Sequence, residues 1–205
     1  HLIAADAYQG VLAISREGKI RVLANTVSGS PIRYANSVVV ARNGKIYFSD
    51  SSTRFAPPEW GGTFAASFLD ILEQSSSGRI LEHDSQTGAT RVLAKGLSFA
   101  NGVALTADQR SLIVAETGKY RIWKLPLAAS DLDLMTPSGA HSSGAQILLE
   151  NLPGFPDNLM RGRDGRIWVG FTKPRSPVID HLADKPFVRK LILRLPKWLW
   201  PVPKA

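Results

Sequence analysis

No cysteine occurs among the 205 residues, which excludes disulfides, thiolate metal sites and a cysteine nucleophile. The four histidines, His1, His83, His141 and His181, stand far apart, with no metal-like spacing and no serine–aspartate pair completing a triad. A GxSxG elbow, a phosphate-binding loop and a dinucleotide fingerprint are all missing. No run of about 18 uncharged apolar residues is present, so no segment reads as a membrane-spanning helix. His1 opens directly on the strand-like run LIAADAY with no basic segment before it, so these residues contain no cleavable secretory signal. A cysteine-free chain suits either redox environment, which leaves localisation open. What is present, 44% hydrophobic and 20% charged residues, reads as one soluble globular domain large enough to bury a core.

The net charge of +8 is local. Residues 1–160 hold 14 Lys/Arg and 14 Asp/Glu and sum to zero, whereas residues 161–205 hold 11 against 3. A basic tail can serve nucleic acid, but here its aromatics alternate with Leu, Ile and Pro and no recognition motif accompanies them. We expect no nucleic-acid partner.

Short apolar runs follow one another through the chain: LIAADAY, GVLAIS, KIRVLA, SVVVA, KIYFSD, GRILEHD, TRVLA, GVALT, SLIVAE, YRIWKL, QILLE and RIWVGF. Their length and their content of Val, Ile and aromatics are strand signatures. Between them lie Glu17-Gly18, Asn43-Gly44, Thr87-Gly88 and Asp164-Gly165, which supply the positive φ of tight hairpins. Residues 1–172 therefore read as antiparallel β-structure.

An internal repeat sets the architecture. Tyr34-Ala35-Asn36-Ser37-Val38 recurs as Phe99-Ala100-Asn101-Gly102-Val103 and as Phe155-Pro156-Asp157-Asn158-Leu159, at separations of 65 and 56 residues. Each copy is an aromatic, a small residue or Pro, an Asn or Asp, and the start of a strand. A period of this length with about four strands per unit is a β-propeller blade. The chain then holds roughly three and a half blades, and residues 1–25 resemble the later strands of a blade. Open sheet edges at either end would need cover, by oligomerisation or by further blades.

Two segments depart from the pattern. Residues 52–77 are long for a hairpin loop and read as a lid, with a helix-capable stretch from Thr63 to Gln74. Residues 173–205 form a basic helical insert or cap. Ile179, Leu182, Phe187, Val188, Leu191, Ile192 and Leu195 keep helical spacing, with Arg189, Lys190 and Arg194 opposite, Pro186 in a first turn and Pro196 as a stop. With Trp198 and Trp200 beyond, residues 178–200 also suit peripheral membrane contact.

In a propeller, equivalent ends of successive inner strands converge on the central channel. Asn36, Asn101 and Asp157 hold that equivalent place, with Asn158 beside the last. Three amide oxygens and one carboxylate are a hard, oxygen-only set suited to Ca²⁺, or to Mg²⁺ or Mn²⁺; the alternative is that they close turns by Asx hydrogen bonds. Asp50 and Glu116 end second strands and either face the channel mouth or cap the strands. His83, on an expected outer strand, reads as solvated.

The chain resembles the strictosidine synthase-like propellers, close to the SMP-30/gluconolactonase/LRE proteins and paraoxonase. The resemblance is carried by KIYFSDSST (45–53), SGRILEHDSQTGATRVLAKGLSFANGVALT (77–106), LIVAETGKYRIWKL (112–125) and LPGFPDNLMRGRDGRIWVGF (152–171). RSPVIDHLADKPFVRKLILRLP (175–196) is similar to a helical insertion of the animal plasma-membrane-associated members. This implies an all-β, six-bladed β-propeller of which these residues cover the middle. It also implies that Asn36, Asn101 and Asn158 are metal ligands and that Asp157 is both a ligand and a general base. Ser37 stands where the family usually has Asp. The ligating glutamate of the first blade falls before His1, the plant synthase's catalytic glutamate falls beyond Ala205, and the plant enzymes' cysteine pair is absent.

Three functions fit these residues. One is metal-dependent hydrolysis of a lactone or ester as small-molecule substrate, with Asp157 activating water. Another is a metal-free condensing or C–N lyase reaction of the strictosidine synthase type. The last is a non-enzymatic propeller that binds partners.

Overall fold

The computed structural model describes residues 1–136 and 144–196. All twelve apolar runs form strands. β1 (Leu2–Asp6), β2 (Gly10–Ile14) and β3 (Ile20–Ala24) make a first antiparallel sheet. β4 (Thr26–Val27) and β5 (Ser30–Pro31) form a two-residue ribbon. The second sheet holds β6 (Ala35–Val40), β7 (Lys45–Asp50), β8 (Gly78–Asp84) and β9 (Thr90–Leu97) in sequence order. The third holds β10 (Ala100–Leu105), β11 (Ser111–Glu116), β12 (Arg121–Pro126) and β14 (Gln146–Leu149), while β13 (Leu132–Asp133) adds in parallel to β9. β15 (Gly154–Arg161) and β16 (Ile167–Pro174) pair as the fourth. Gly44 and Gly165 take φ of 82° at their hairpin turns, a conformation in which a Cβ is strained.

The sheets stack as successive meanders, because the middle strands β7, β8 and β11 are buried on both faces. Along β11, Leu112 and Val114 enter a core shared with Leu93, Leu97 and Val103, while Ile113 and Ala115 enter another with Ile122 and Leu159. Along β7 and β8, Tyr47 and Ile80 point toward the third sheet, and Phe48 and Leu81 toward Val11 of the first. Side chains alternating to two cores explain why these strands read as continuous apolar runs. Each fully buried Leu, Ile or Phe contributes about 1.5–3 kcal/mol. The first strands of successive sheets, β6, β10 and β15, lie side by side along one line. This is the arrangement of propeller blades around an axis.

The loop after β7 contains α1 (Pro57–Trp60) and α2 (Thr63–Glu73). The basic segment differs from the expected single helix: it forms α3 (Pro177–His181) and α4 (Pro186–Ile192), with Pro186 in the first turn of the second. Residues 182–185 break the helical phase, so the expected polarity is not kept. Arg189 is buried, with its guanidinium donating to Gln74 Oε1 (2.9 Å) and to the carbonyls of Leu182 (3.0 Å) and Ala183 (2.5 Å). Phe187, by contrast, is 78% exposed. Trp198 and Trp200 lie outside the described residues. No helix among the described residues is long and apolar enough to cross a membrane.

Candidate active site

Each of the three repeat copies carries the same irregularity. Pairing passes from Ala35↔Asp50 to Val38↔Phe48, from Ala100↔Glu116 to Val103↔Val114, and from Pro156↔Phe171 to Leu159↔Val169. In each case two residues oppose one, which is a β-bulge. The unpaired residues are Asn36-Ser37, Asn101-Gly102 and Asp157-Asn158. The repeat is thus a bulge motif that releases an Asn or Asp from the ladder at the same end of each first strand.

Asn36, Asn101, Asp157 and Asn158 all line one cleft of about 400 Å³. Asn101 Nδ2 donates to Asp157 Oδ1 at 2.6 Å and to Thr117 Oγ1 at 3.2 Å. Thr117 Oγ1 in turn donates to the carbonyl of Pro156 at 2.7 Å, tying β15 to the residues after β11. Asn158 Nδ2 reaches Asp157 Oδ2 at 3.5 Å. Asn36 Nδ2 donates to Ser51 Oγ at 3.0 Å, and Ser51 Oγ donates to the carbonyl of Ala100 at 2.6 Å. The amide nitrogens are therefore spent on protein partners. Asn101 Oδ1 is buried and accepts no hydrogen bond.

A buried acceptor without a donor costs about 1–3 kcal/mol, and a bound cation would satisfy it. The donors present fit a hard divalent ion: the Asn101 oxygen, the Asp157 carboxylate and the amide oxygens of Asn36 and Asn158. Among the described residues no three His, Asp or Glu side chains come together, so the ion would rest on amides around a single carboxylate.

Aromatics form the walls. Tyr34, Phe99 and Phe155 come from the repeat, and Tyr34 and Phe99 meet edge to face at 5.4 Å. Phe99 takes a left-handed φ of 55°, a strained conformation of the kind that clusters at functional sites. The Tyr34 hydroxyl donates to the Thr63 carbonyl at 3.0 Å, and burial pushes its pKa up to about 12, so it stays a neutral phenol. Thr63, Phe64, Ser67, Phe68 and Ile71, spaced i, i+1, i+4, i+5 and i+8 along one face of α2, complete the cleft, with Ile179 from α3.

The other face of α2 buries Asp70. Its Oδ2 accepts from Ser75 Oγ (3.2 Å) and Ser77 Oγ (3.4 Å), and its Oδ1 has no partner. Burial raises its pKa to about 6. The native state then holds a proton that the unfolded chain releases near pH 4, so stability falls as pH rises from about 4 to 6. Asp70→Asn is expected to gain roughly 1–2 kcal/mol at pH 7.5, after the amide's own desolvation is discounted, and to flatten that slope. Urea unfolding at pH 4.5 and 7.5 measures both; an unchanged slope would contradict it.

Asp50 and Glu116 do not line the cleft. Asp50 is fully buried, takes Arg79 Nε at 2.8 Å and accepts the backbone N–H groups of Tyr34 (2.8 Å) and Arg33 (3.2 Å). Burial raises its pKa against the pull of Arg79. Glu116 repeats the scheme with Arg121 Nε (2.5 Å), Ser98 N–H (2.9 Å) and Trp123 Nε1 (2.6 Å). Both are strand-end clamps that fix the loops bearing Tyr34 and Phe99. The sequence carries a signal for them: β7 and β11 each end in an acid, and an Arg at or next to the start of the following strand, Arg79 in β8 and Arg121 in β12, lies directly opposite in register. His83 is also not where the sequence suggested. β8 is the third of four strands and covered on both faces, so His83 is buried against Thr90 Oγ1 at 3.0 Å, and burial lowers its pKa.

A family described as strictosidine synthase matches residues 36–129. The strictosidine synthase-like 13 protein of Arabidopsis thaliana is 36% identical over 197 residues, 96% of this chain and 44% of that protein. The adipocyte plasma membrane-associated protein of Homo sapiens is 32% identical over 203 residues, 95% of this chain and 45% of that protein. The chain thus spans about half the length of the curated relatives it matches. Among solved structures, a gluconolactonase from Xanthomonas campestris superposes with a TM-score of 0.58 at 18% identity, over 82% of this chain and 52% of that one. A calcium-binding protein, regucalcin, from Agrobacterium tumefaciens gives 0.55 at 16% identity, over 82% and 48%. These structural likenesses establish a shared propeller fold.

Proposed function

Because this chain belongs to the strictosidine synthase-like family, we propose that its cleft is the active site of a metal-dependent hydrolase acting on a lactone or ester. The observation that carries the reading is the convergence of the three bulges on one cleft, where Asn101 Oδ1 lies buried and unpaired beside the Asp157 carboxylate. Asn36, Asn101, Asp157 and Asn158 would hold the ion. Such an ion polarises a carbonyl and favours charge on its oxygen.

The chain's own residues do the rest. Asp157 is positioned from two sides, by Asn101 and Asn158, and its carboxylate takes the proton of the attacking water. Thr117 holds Asn101 in turn by receiving its second N–H. The aromatic walls exclude bulk water and strengthen each polar contact inside.

Thermal unfolding in EDTA and then in graded Ca²⁺, Mg²⁺ or Mn²⁺ tests the site without requiring turnover. A ligand that binds the native state raises the midpoint by mass action, with about 2.7 kcal/mol gained at one hundred times Kd. The expected result is a concentration-dependent rise with Ca²⁺ that is lost in Asp157→Ala and Asn101→Ala. A cooperative transition indifferent to all three ions would overturn the metal reading and favour metal-free condensing chemistry.

A further inference from the structure

Taking the cleft to be the substrate site, we propose that Lys173 selects substrates with an apolar, aromatic-sized body and an anionic group. Lys173 lines the cleft and is half-buried, yet among the described residues its side chain makes no hydrogen bond or ion pair. Two other cations of the basic segment are committed. Arg175 pairs with Asp180 at 3.0 Å and stacks 4.3 Å from the Tyr120 ring, while Arg189 binds Gln74 and two carbonyls. Lys119, on the same side, donates to Gln74 Oε1 at 2.9 Å.

An ammonium at the cleft with no ion-pair partner is free to pair with an incoming anionic group. Asp157, the carboxylate in the cleft lining, is already held by Asn101 and Asn158. The backbone of Lys173 is fixed in turn: a Cβ on Gly154 would sit 2.5 Å from the Lys173 carbonyl, and Arg175 N–H donates to the Pro153 carbonyl at 3.1 Å. Lys173 is therefore carried on a closely approaching strand pair and shares the cleft lining with Tyr34, Phe64, Phe68, Phe99 and Phe155. Apolar walls with a single uncommitted positive group are the pattern of a pocket for an amphiphilic carboxylate.

The test compares 4-phenylbutyrate with its uncharged amide by isothermal titration against the full chain and its Lys173→Gln, Lys173→Arg and Asp157→Asn variants. The acid is expected to bind about tenfold more tightly than the amide. That preference should vanish in Lys173→Gln, persist in Lys173→Arg, and remain in Asp157→Asn. Equal affinities, no binding of either probe, or a preference that survives Lys173→Gln would each overturn the proposal. Hydrolysis of aryl esters with and without a carboxylate separates it from the activity. Turnover with no charge preference sinks Lys173 selection alone. Charge-selective binding with no turnover of any ester or lactone leaves Lys173 selection standing and sinks the hydrolase reading.

Discussion

Glu116→Ala is expected to destabilise the chain by about 3–5 kcal/mol, the cost of breaking a buried ion pair from one side. The carboxylate is 1% exposed and serves three donors at once: Arg121 Nε, Trp123 Nε1 and the Ser98 N–H. Removing it leaves a guanidinium over the Trp123 ring without its counter-charge, an indole N–H without an acceptor, and a buried backbone N–H unpaired. Glu116→Gln keeps the volume and one acceptor oxygen, so a loss of about half that size is expected. Glu116→Ala combined with Arg121→Ala should recover part of the loss, since the uncompensated charge goes with the arginine. Urea unfolding of the three variants measures the set. A single Glu116→Ala change costing under about 1 kcal/mol would show that the clamp is ornamental. The effect reaches the cleft as well, because Ser98 precedes Phe99, whose left-handed backbone is held from the other side by Thr117 N–H at 3.2 Å.

These clamps mark where sequence reasoning stopped short. Strands were legible because two-sided burial leaves an unbroken apolar run, and the repeat was legible because bulges at equivalent places demand the same residue types. Asn36, Asn101, Asp157 and Asn158 could therefore be placed at one cleft from spacing alone. Asp50 and Glu116 could not be resolved, since their role depends on a partner across a hairpin, Arg79 in one case 29 residues away. Buried His83 was missed for a related reason: its position within the sheet depends on which strand lies beyond it. Arg189 was misplaced because a helical wheel carries its phase through residues 182–185, whereas the chain resets it there. The short strands β4, β5 and β13, two residues each, carry no periodicity to read.

Gly102→Ala is expected to cost about 3 kcal/mol or more and to abolish any response to Ca²⁺. A Cβ at Gly102 would lie 2.4 Å from the Asp157 carbonyl and 2.4 Å from Leu159 N, both backbone atoms that cannot rotate away. The equivalent bulge position in the first copy is Ser37, whose Oγ accepts from Val103 N–H at 3.1 Å, so there a side chain bridges the inner strands. At the second copy the strands approach more closely, and only a glycine admits β15. That closeness is what brings Asp157 to 2.6 Å from Asn101. Forcing β10 and β15 apart must break this pair before it disturbs the outer strands, so loss of the cleft and loss of stability are coupled through one atom. Ser37→Ala is the contrasting case, with about 1 kcal/mol expected for one hydrogen bond and the Ca²⁺ response retained. Equilibrium unfolding with and without Ca²⁺ distinguishes the two. If Gly102→Ala unfolded at the wild-type urea concentration, the inner strands would not be in contact at this bulge, and the pairing of Asn101 with Asp157 could not stand.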